Sequence, residues 1–190
     1  ESGKTVDPFA LYRTLRRVSP SCFGGYFDAG SFQIVSSSPE RFLRTRDGIV
    51  LTRPMKGTRP RGRDPVRDRR NARELWKSRK DTAELLMITD LERNDLGRVC
   101  RYGSVRVDAM RSLEKYASVF QTTSSVSGRL AAGRDAFDCL EAAFPGGSIT
   151  GCPKIRAMQI IAELEPVPRS IYTGALGYVG FSGDMDFNIL

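Results

Sequence analysis

Segments that read as strands stand in the first third of this chain and again toward its end, with helical periodicity between them. This order restricts the fold more than any single residue does. Phe32-Gln33-Ile34-Val35 is an apolar run, and Ile49-Val50-Leu51 follows the turn signal Asp47-Gly48. Ser78 and Asp81 then mark a helix start, after which Leu85, Ile88 and Leu91, with Met87 beside them, form an apolar stripe. Val105 and Val107 alternate with polar neighbours, and residues 119–130 are rich in β-forming side chains. Phe137, Leu140, Ala143 and Phe144 predict a helix, as do Ile155, Met158, Ile161, Ala162 and Leu164, closed by Pro166 and Pro168. Residues 172–178 and 179–187 read as two arms of a hairpin turning at Ser182-Gly183-Asp184. A short helix from Asp7-Pro8 through Phe9, Leu11, Tyr12, Leu15 and Val18 to Ser19-Pro20 completes the pattern. Strands, then helices, then strands again predict an α+β fold with mostly antiparallel sheet.

Within that order, Thr52-Arg53-Pro54-Met55-Lys56-Gly57-Thr58-Arg59-Pro60-Arg61 reads as a rigid loop. Prolines fix its backbone on both sides, while Gly57 allows a close approach or a positive φ. A single lysine stands among arginines there, which suits an anionic substrate; Lys56 is either a nucleophile or an ordinary surface lysine. Glu40, in Ser36-Ser37-Ser38-Pro39-Glu40-Arg41-Phe42-Leu43, follows the first strand and can neighbour Lys56 on one sheet; Arg41 is its plainer partner. Ala143-Phe144-Pro145-Gly146-Gly147-Ser148-Ile149-Thr150-Gly151-Cys152-Pro153-Lys154 sets glycines ahead of a proline suited to a first helical turn, and reads as an anion cradle. Gly146 and Gly151 have the spacing of a nucleotide-binding P-loop, yet Cys152-Pro153 stands where such a loop needs Lys and Ser or Thr. Glu84 lies at the edge of a helix face that should be buried, where it needs either a metal or Lys80 one turn before it.

Composition removes other classes. The 190 residues are 40% hydrophobic, enough to bury a core as one domain over 1–190. No apolar run is long enough to span a membrane, and Glu1-Ser2-Gly3-Lys4 lacks a signal peptide's apolar stretch. Cys22, Cys100, Cys139 and Cys152 show no metal-binding spacing and the chain has no histidine, so reduced thiols in the cytoplasm are expected. A formal net charge of +8, with twelve basic against three acidic side chains in residues 53–80, raises nucleic acid as a partner. Asp64, Asp68 and Glu74 interrupt that run, Trp76 is its one aromatic, and no nucleic-acid motif accompanies it. A solvated arginine-rich face is the better reading, leaving Arg53 and Arg59 as electrostatic contributors to the lysine segment.

In this order the Ser-Pro-Glu segment, the Lys-Gly-Thr segment and the glycine loop resemble the chorismate-utilising enzymes: anthranilate synthase component I, aminodeoxychorismate synthase component I, and the isochorismate and salicylate synthases. Lys80-Asp81-Thr82-Ala83-Glu84, Asp90-Leu91-Glu92-Arg93-Asn94-Asp95-Leu96-Gly97-Arg98 and Tyr172-Thr173-Gly174-Ala175-Leu176-Gly177-Tyr178 carry the resemblance further. It implies two antiparallel sheets packed face to face, helices outside, and an active site in the cleft between them. The residue before Gly-Thr sorts the chemistry of the family. Anthranilate, isochorismate and salicylate synthases typically carry alanine there, so Lys56 points to the aminodeoxychorismate type, which makes 4-amino-4-deoxychorismate for p-aminobenzoate and folate from chorismate and ammonia. The ammonia would come from a glutamine amidotransferase subunit or fused domain. The resemblance further implies Lys56 as covalent nucleophile at C2, Glu40 as general acid for the departing 4-hydroxyl, and Glu84 as one of two glutamates holding Mg2+. Gly57, Thr58, Gly147, Thr150 and Tyr172 are implied substrate contacts. Gln121 replaces a histidine usual in the family, and can hydrogen-bond substrate without offering an imidazolium. The chain ends at Asn188-Ile189-Leu190, ahead of the family's Ile-Arg-Thr, Gly-Gly-Gly-Ile and Glu-Tyr-x-Glu motifs, and begins after its Tyr-Gln strand. A segment of a catalytic domain, inactive alone, is therefore expected, with neither nucleic acid nor membrane as partner.

Overall fold

The computed structural model describes residues 6–190, and the start at Glu1-Ser2-Gly3-Lys4 lies outside them. Helix α1 (Pro8–Val18) begins where Asp7 accepts from the Phe9 amide at 3.0 Å and Pro8 occupies the first turn, where a missing N–H costs nothing. Strands β1 (Phe23–Asp28) and β2 (Gln33–Ser38) pair as an antiparallel ribbon against which α1 packs. Next come β3 (Arg41–Arg46) and β4 (Ile49–Arg53), joined by Asp47 and Gly48, both at positive φ (52° and 70°) as a tight hairpin turn requires. After β5 (Met55–Pro60), helices α2 (Pro65–Lys77) and α3 (Arg79–Gly97) follow, capped by Asp64 and Ser78. The long strands β6 (Arg106–Lys115) and β7 (Val119–Arg129) precede α4 (Ala136–Ala143), whose start is a reciprocal Asp135/Asp138 capping box. A single helical turn, α5 (Gly147–Thr150), then α6 (Lys154–Leu164), β8 (Ala175–Val179) and β9 (Met185–Ile189) complete the chain.

Seven strands form one sheet in the order β5-β7-β4-β3-β9-β8, with β6 on the other edge of β7, and every pairing is antiparallel. The predicted α+β class with antiparallel sheets is what the chain adopts. The two-stranded ribbon is tied to the larger sheet where Asn188 Nδ2 donates to the Phe23 carbonyl at 2.6 Å. It approaches β8 so closely that a Cβ on Gly25 would lie 2.8 Å from Leu176 Cδ2. The core lies between the sheet and the helices α3 and α4: Leu43, Val50 and Val126 from the sheet meet Leu96, Cys139 and Ala143. Burial pushes the Cys100 and Cys139 thiols up to about 11 and about 12, so both are inert core residues at neutral pH.

Three expectations need correction. The Lys56 segment is not a loop but a strand, because β4 and β5 are one extended stretch along β7 interrupted only at Pro54, which has no N–H to give. Met87 does not join the α3 stripe: it is 42% exposed, and the buried face is Leu85, Ile88, Thr89, Leu91, Glu92, Asp95 and Leu96. The first arm of the last hairpin begins at Ala175, leaving Tyr172 in a turn ahead of β8.

Candidate active site

Pro54 decides where the chemistry collects. Beyond it β3 no longer flanks the strand, and the Met55 amide donates instead to the Glu40 carboxyl, Oε1, at 3.3 Å. Glu40 stands between β2 and β3 and gives its backbone carbonyl to the Ile189 amide at 3.2 Å, so both its backbone and side chain are engaged by the sheet. Burial holds its carboxyl above the usual range, against the opposing pull of the Ser148 hydroxyl, the Met55 amide and the Lys56 charge. One residue on from Met55, the half-buried Lys56 reaches across to donate from Nζ to the Ser148 carbonyl at 3.0 Å. The β5–β7 register slips between Lys56 and Thr58, and Gly57 takes φ +79° in that bulge. Glu40, Lys56 and Ser148 therefore converge from separate parts of the sequence.

The glycine loop is closed by one side chain. Lys154 Nζ donates to Asp95 Oδ2 at 2.6 Å and to the Ala143 carbonyl at 2.8 Å, pinning the loop's end to its beginning and to α3. Burial pushes the Asp95 carboxyl up while the Lys154 ammonium pulls it back. Gly147 fits because a Cβ there would come within 3.0 Å of Leu91 Cδ2. Thr150 donates to the Gly146 carbonyl at 3.1 Å, which leaves its oxygen lone pairs for a ligand. Thr150 and the 70% exposed Tyr172 border a cavity of about 470 Å³ beside α6; Glu40 and Lys56 do not border it. Two groups thus form, Glu40 with Lys56 and Thr150 with Tyr172, joined through the short turn that carries Ser148. Gln121 lies beside the first, its Nε2 3.4 Å from Thr58 Oγ1 and its Oε1 buried without a hydrogen-bond donor.

Other expected partners are differently employed. Glu84 is 41% exposed on α3 with Lys80 Nζ 3.8 Å away, so it does not lie on a buried face, and among the described residues no cluster of three potential metal ligands exists. Its carboxylate is nonetheless a hard oxygen donor open to water, the kind of single ligand that a largely hydrated Mg2+ accepts. Arg53 pairs with Glu114 at 2.7 Å and Arg59 with Asp81 at 3.3 Å, so neither acts on Lys56 as a bare cation. Arg41 makes a two-pronged pair with Asp186, both bonds 2.9 Å, and is not the partner of Glu40. Glu92, Asp95 and Lys154 were not anticipated. Their signal was present in the sequence, since Thr89, Glu92 and Asp95 fall on the same helical face as Leu85 and Ile88 and so put polar groups inside the core.

A family model described as chorismate binding enzyme matches residues 2–190. Aminodeoxychorismate synthase component 1 of Bacillus subtilis (strain 168) is 48% identical over 186 residues, a match covering 98% of this chain and 40% of that protein. Anthranilate synthase component 1 of Thermus thermophilus is 50% identical over 185 residues, covering 97% and 40%. Among solved structures, anthranilate synthase component I from Streptococcus pneumoniae TIGR4 superposes with a TM-score of 0.88 at 40% identity, over 98% of this chain and 41% of that one. The chain thus spans about 40% of the length of the curated relatives it matches. No helix among the described residues is long and apolar enough to cross a membrane.

Proposed function

The chain belongs to the chorismate binding enzyme family, and from that premise we propose that it serves the amination of chorismate to 4-amino-4-deoxychorismate, with Lys56 as covalent nucleophile. Overall identity does not choose between products, because relatives named for two different ones match about equally well. The observation that carries the choice is the Lys56 side chain, which extends to the Ser148 carbonyl, from the position where, by the resemblance, the anthranilate type typically has alanine. A backbone carbonyl there accepts a hydrogen from the ammonium and holds the nitrogen in one place while substrate enters. Attack needs the neutral amine, and the bond forms from nitrogen to C2 of the ring as the double bonds shift and the 4-hydroxyl departs. Hydroxide is a poor leaving group, so a proton must arrive at that oxygen, and Glu40 is the acid: burial favours its protonated form. Ammonia then adds at C4, the lysine leaves C2 as an amine, and the new C4 ammonium gives a proton back to the Glu40 carboxylate, which restores the free enzyme.

The remaining roles belong to the same proposal. Gly57 and Thr58 at the bulge, Gln121 beside them, and Gly147, Thr150 and Tyr172 around the glycine loop contact the two carboxylates and the ring. Glu84 would hold Mg2+ through a carboxylate oxygen, and the ion would there supply Lewis-acid withdrawal of electrons from the ring carboxylate, favouring addition to the diene. A glutamine amidotransferase supplies the ammonia, and the product leads to p-aminobenzoate and folate in the cytoplasm. The test is product analysis. The full-length polypeptide carrying this sequence, given chorismate, ammonium and Mg2+, yields 4-amino-4-deoxychorismate by liquid chromatography and mass spectrometry, and Lys56→Ala abolishes it. Anthranilate from the unaltered protein overturns the proposal in favour of the second reading, an anthranilate synthase.

A further inference from the structure

A bulge interrupts β3 just after Glu40, where register slips between Arg41 and Arg44 against β4 and between Arg41 and Leu43 against β9. Bulged residues lose ladder partners, and the Phe42 carbonyl is satisfied by a side chain instead: Thr52 Oγ1 lies 2.7 Å from it. The same hydroxyl oxygen lies 2.6 Å from Glu92 Oε2. A threonine hydroxyl has one proton to give, and a carbonyl can only accept. Two short contacts among these three oxygens need two protons, and the second can come only from the carboxyl. Glu92 O–H therefore donates to Thr52, and Thr52 O–H donates to Phe42. An ionised Glu92 would capture the threonine proton and leave a buried carbonyl unpaired.

The surroundings agree. Glu92 is 5% exposed. Burial pushes its carboxyl up to about 8, with the Thr52 bond and Lys154 opposing the rise and the Glu40 and Asp95 charges adding to it. These are the charged groups that face it: Glu40 from the β2–β3 junction, Asp95 one turn along α3, and Lys154 from α6, which Asp95 already binds. On the glycine-loop side a Cβ on Gly147 would lie 3.5 Å from Glu92 Cγ. One side chain thus bonds to the threonine that satisfies the bulge after Glu40 and lies beside the turn that carries Ser148.

We propose that Glu92 is a positioning residue: as the neutral acid it donates to Thr52 and, through Thr52, fixes the bulge that aims Glu40 at the Lys56 amine. Ionisation of Glu92 turns the threonine hydroxyl away from Phe42, loosens the bulge and sets a negative charge near Glu40, which gives chorismate turnover an alkaline limit. The role rests on Glu40 serving as acid toward chorismate, and not on which product forms.

Two readouts on the full-length polypeptide test this. In infrared spectra at pH 7, Glu40 and Glu92 both contribute to the C=O stretch of protonated carboxyls; one component of that band persists in Glu40→Gln and is missing from Glu92→Gln. Followed as chorismate consumption, wild-type kcat falls as pH rises through about 8. Glu92→Gln, whose amide donates to Thr52 and cannot ionise, keeps kcat at pH 7 within about threefold and changes the position of that fall, which then reports Glu40 alone. Glu92→Leu, which cannot donate, lowers kcat at every pH. Absence of a band component dependent on Glu92, or an alkaline fall unmoved in Glu92→Gln, overturns the role. If chorismate is not consumed at all, the functional reading fails, and the infrared band alone still decides where the proton sits.

Discussion

Replacing Lys154 by methionine keeps an unbranched side chain of nearly the same length and removes its charge. The ammonium lies 2.6 Å from Asp95 Oδ2 and 2.8 Å from the Ala143 carbonyl, and the two charged side chains are only 12% and 6% exposed, so water cannot take its place. Breaking one partner of such a pair leaves an uncompensated buried charge and costs about 3 to 5 kcal/mol. In a chain of this size each kcal/mol moves Tm by about 2 to 4 °C, so the expected fall is on the order of 10 °C. Urea unfolding at pH 7 reads the free energy directly. The double variant Lys154→Met with Asp95→Asn leaves no orphan charge, and is more stable than the sum of the single losses by about 2 kcal/mol. The single variant also recovers stability as pH falls, because the orphaned Asp95 can then be protonated. Loss of the tie frees the glycine loop, and KM for chorismate rises with it. A loss below about 1 kcal/mol in Lys154→Met, or strict additivity in the cycle, would refute the view that this pair holds the loop.

Gly57→Ala is expected to cost about 2 to 3 kcal/mol by thermal melting, since φ is +79° and the new Cβ would stand 2.8 Å from Leu75 Cδ1 and 2.9 Å from Asp81 Cβ; a change below about 0.5 kcal/mol contradicts the geometry. For Glu92 the folded carboxyl at about 8 lies above the ordinary 4.5, so the native state holds the extra proton between those values and stability falls as pH rises through that window. The slope is about 1.4 kcal/mol per pH unit and the whole effect about 5 kcal/mol. Unfolding free energies from urea at pH 5 and 7 should fall more steeply in wild type than in Glu92→Gln, where only Glu40 and Asp95 remain raised; equal slopes refute it. Glu40→Gln keeps shape and removes the transferable proton, so kcat falls by about a hundredfold or more while KM changes little. Unchanged turnover rules out the acid.

Where pattern and fold agree, the cause is local. Ser78 caps α3 through the Asp81 amide at 3.2 Å, and the strand predicted over residues 119–130 is β7, because both follow from neighbouring residues alone. The strand β3 escaped notice because its bulge buries Phe42 and Leu43 in succession, which destroys the two-residue alternation of a strand. Prolines at 54 and 60 hid β5 for a related reason: each lacks a donor, yet the strand continues beside β7. Lys56 and Glu40 were legible because turn chemistry and motif spacing set them apart. The partners of Arg53 and Lys154 were not, since Glu114 and Asp95 lie 61 and 59 residues away in sequence and only the folded sheet and helices bring them together.

The nucleophile can be seen by weighing the protein. Incubated with chorismate and Mg2+ but without ammonia, the full-length polypeptide should accumulate the lysine adduct, because the group that expels Lys56 is withheld. Intact-mass spectrometry then shows an addition equal to chorismate less one water, and peptide mapping places it on Lys56. Lys56→Ala lacks the adduct. Lys56→Arg lacks it too, since a guanidinium stays protonated and is a poor nucleophile. An adduct of undiminished yield in Lys56→Ala, or no adduct in a wild-type protein that aminates chorismate once ammonia is added, contradicts the account.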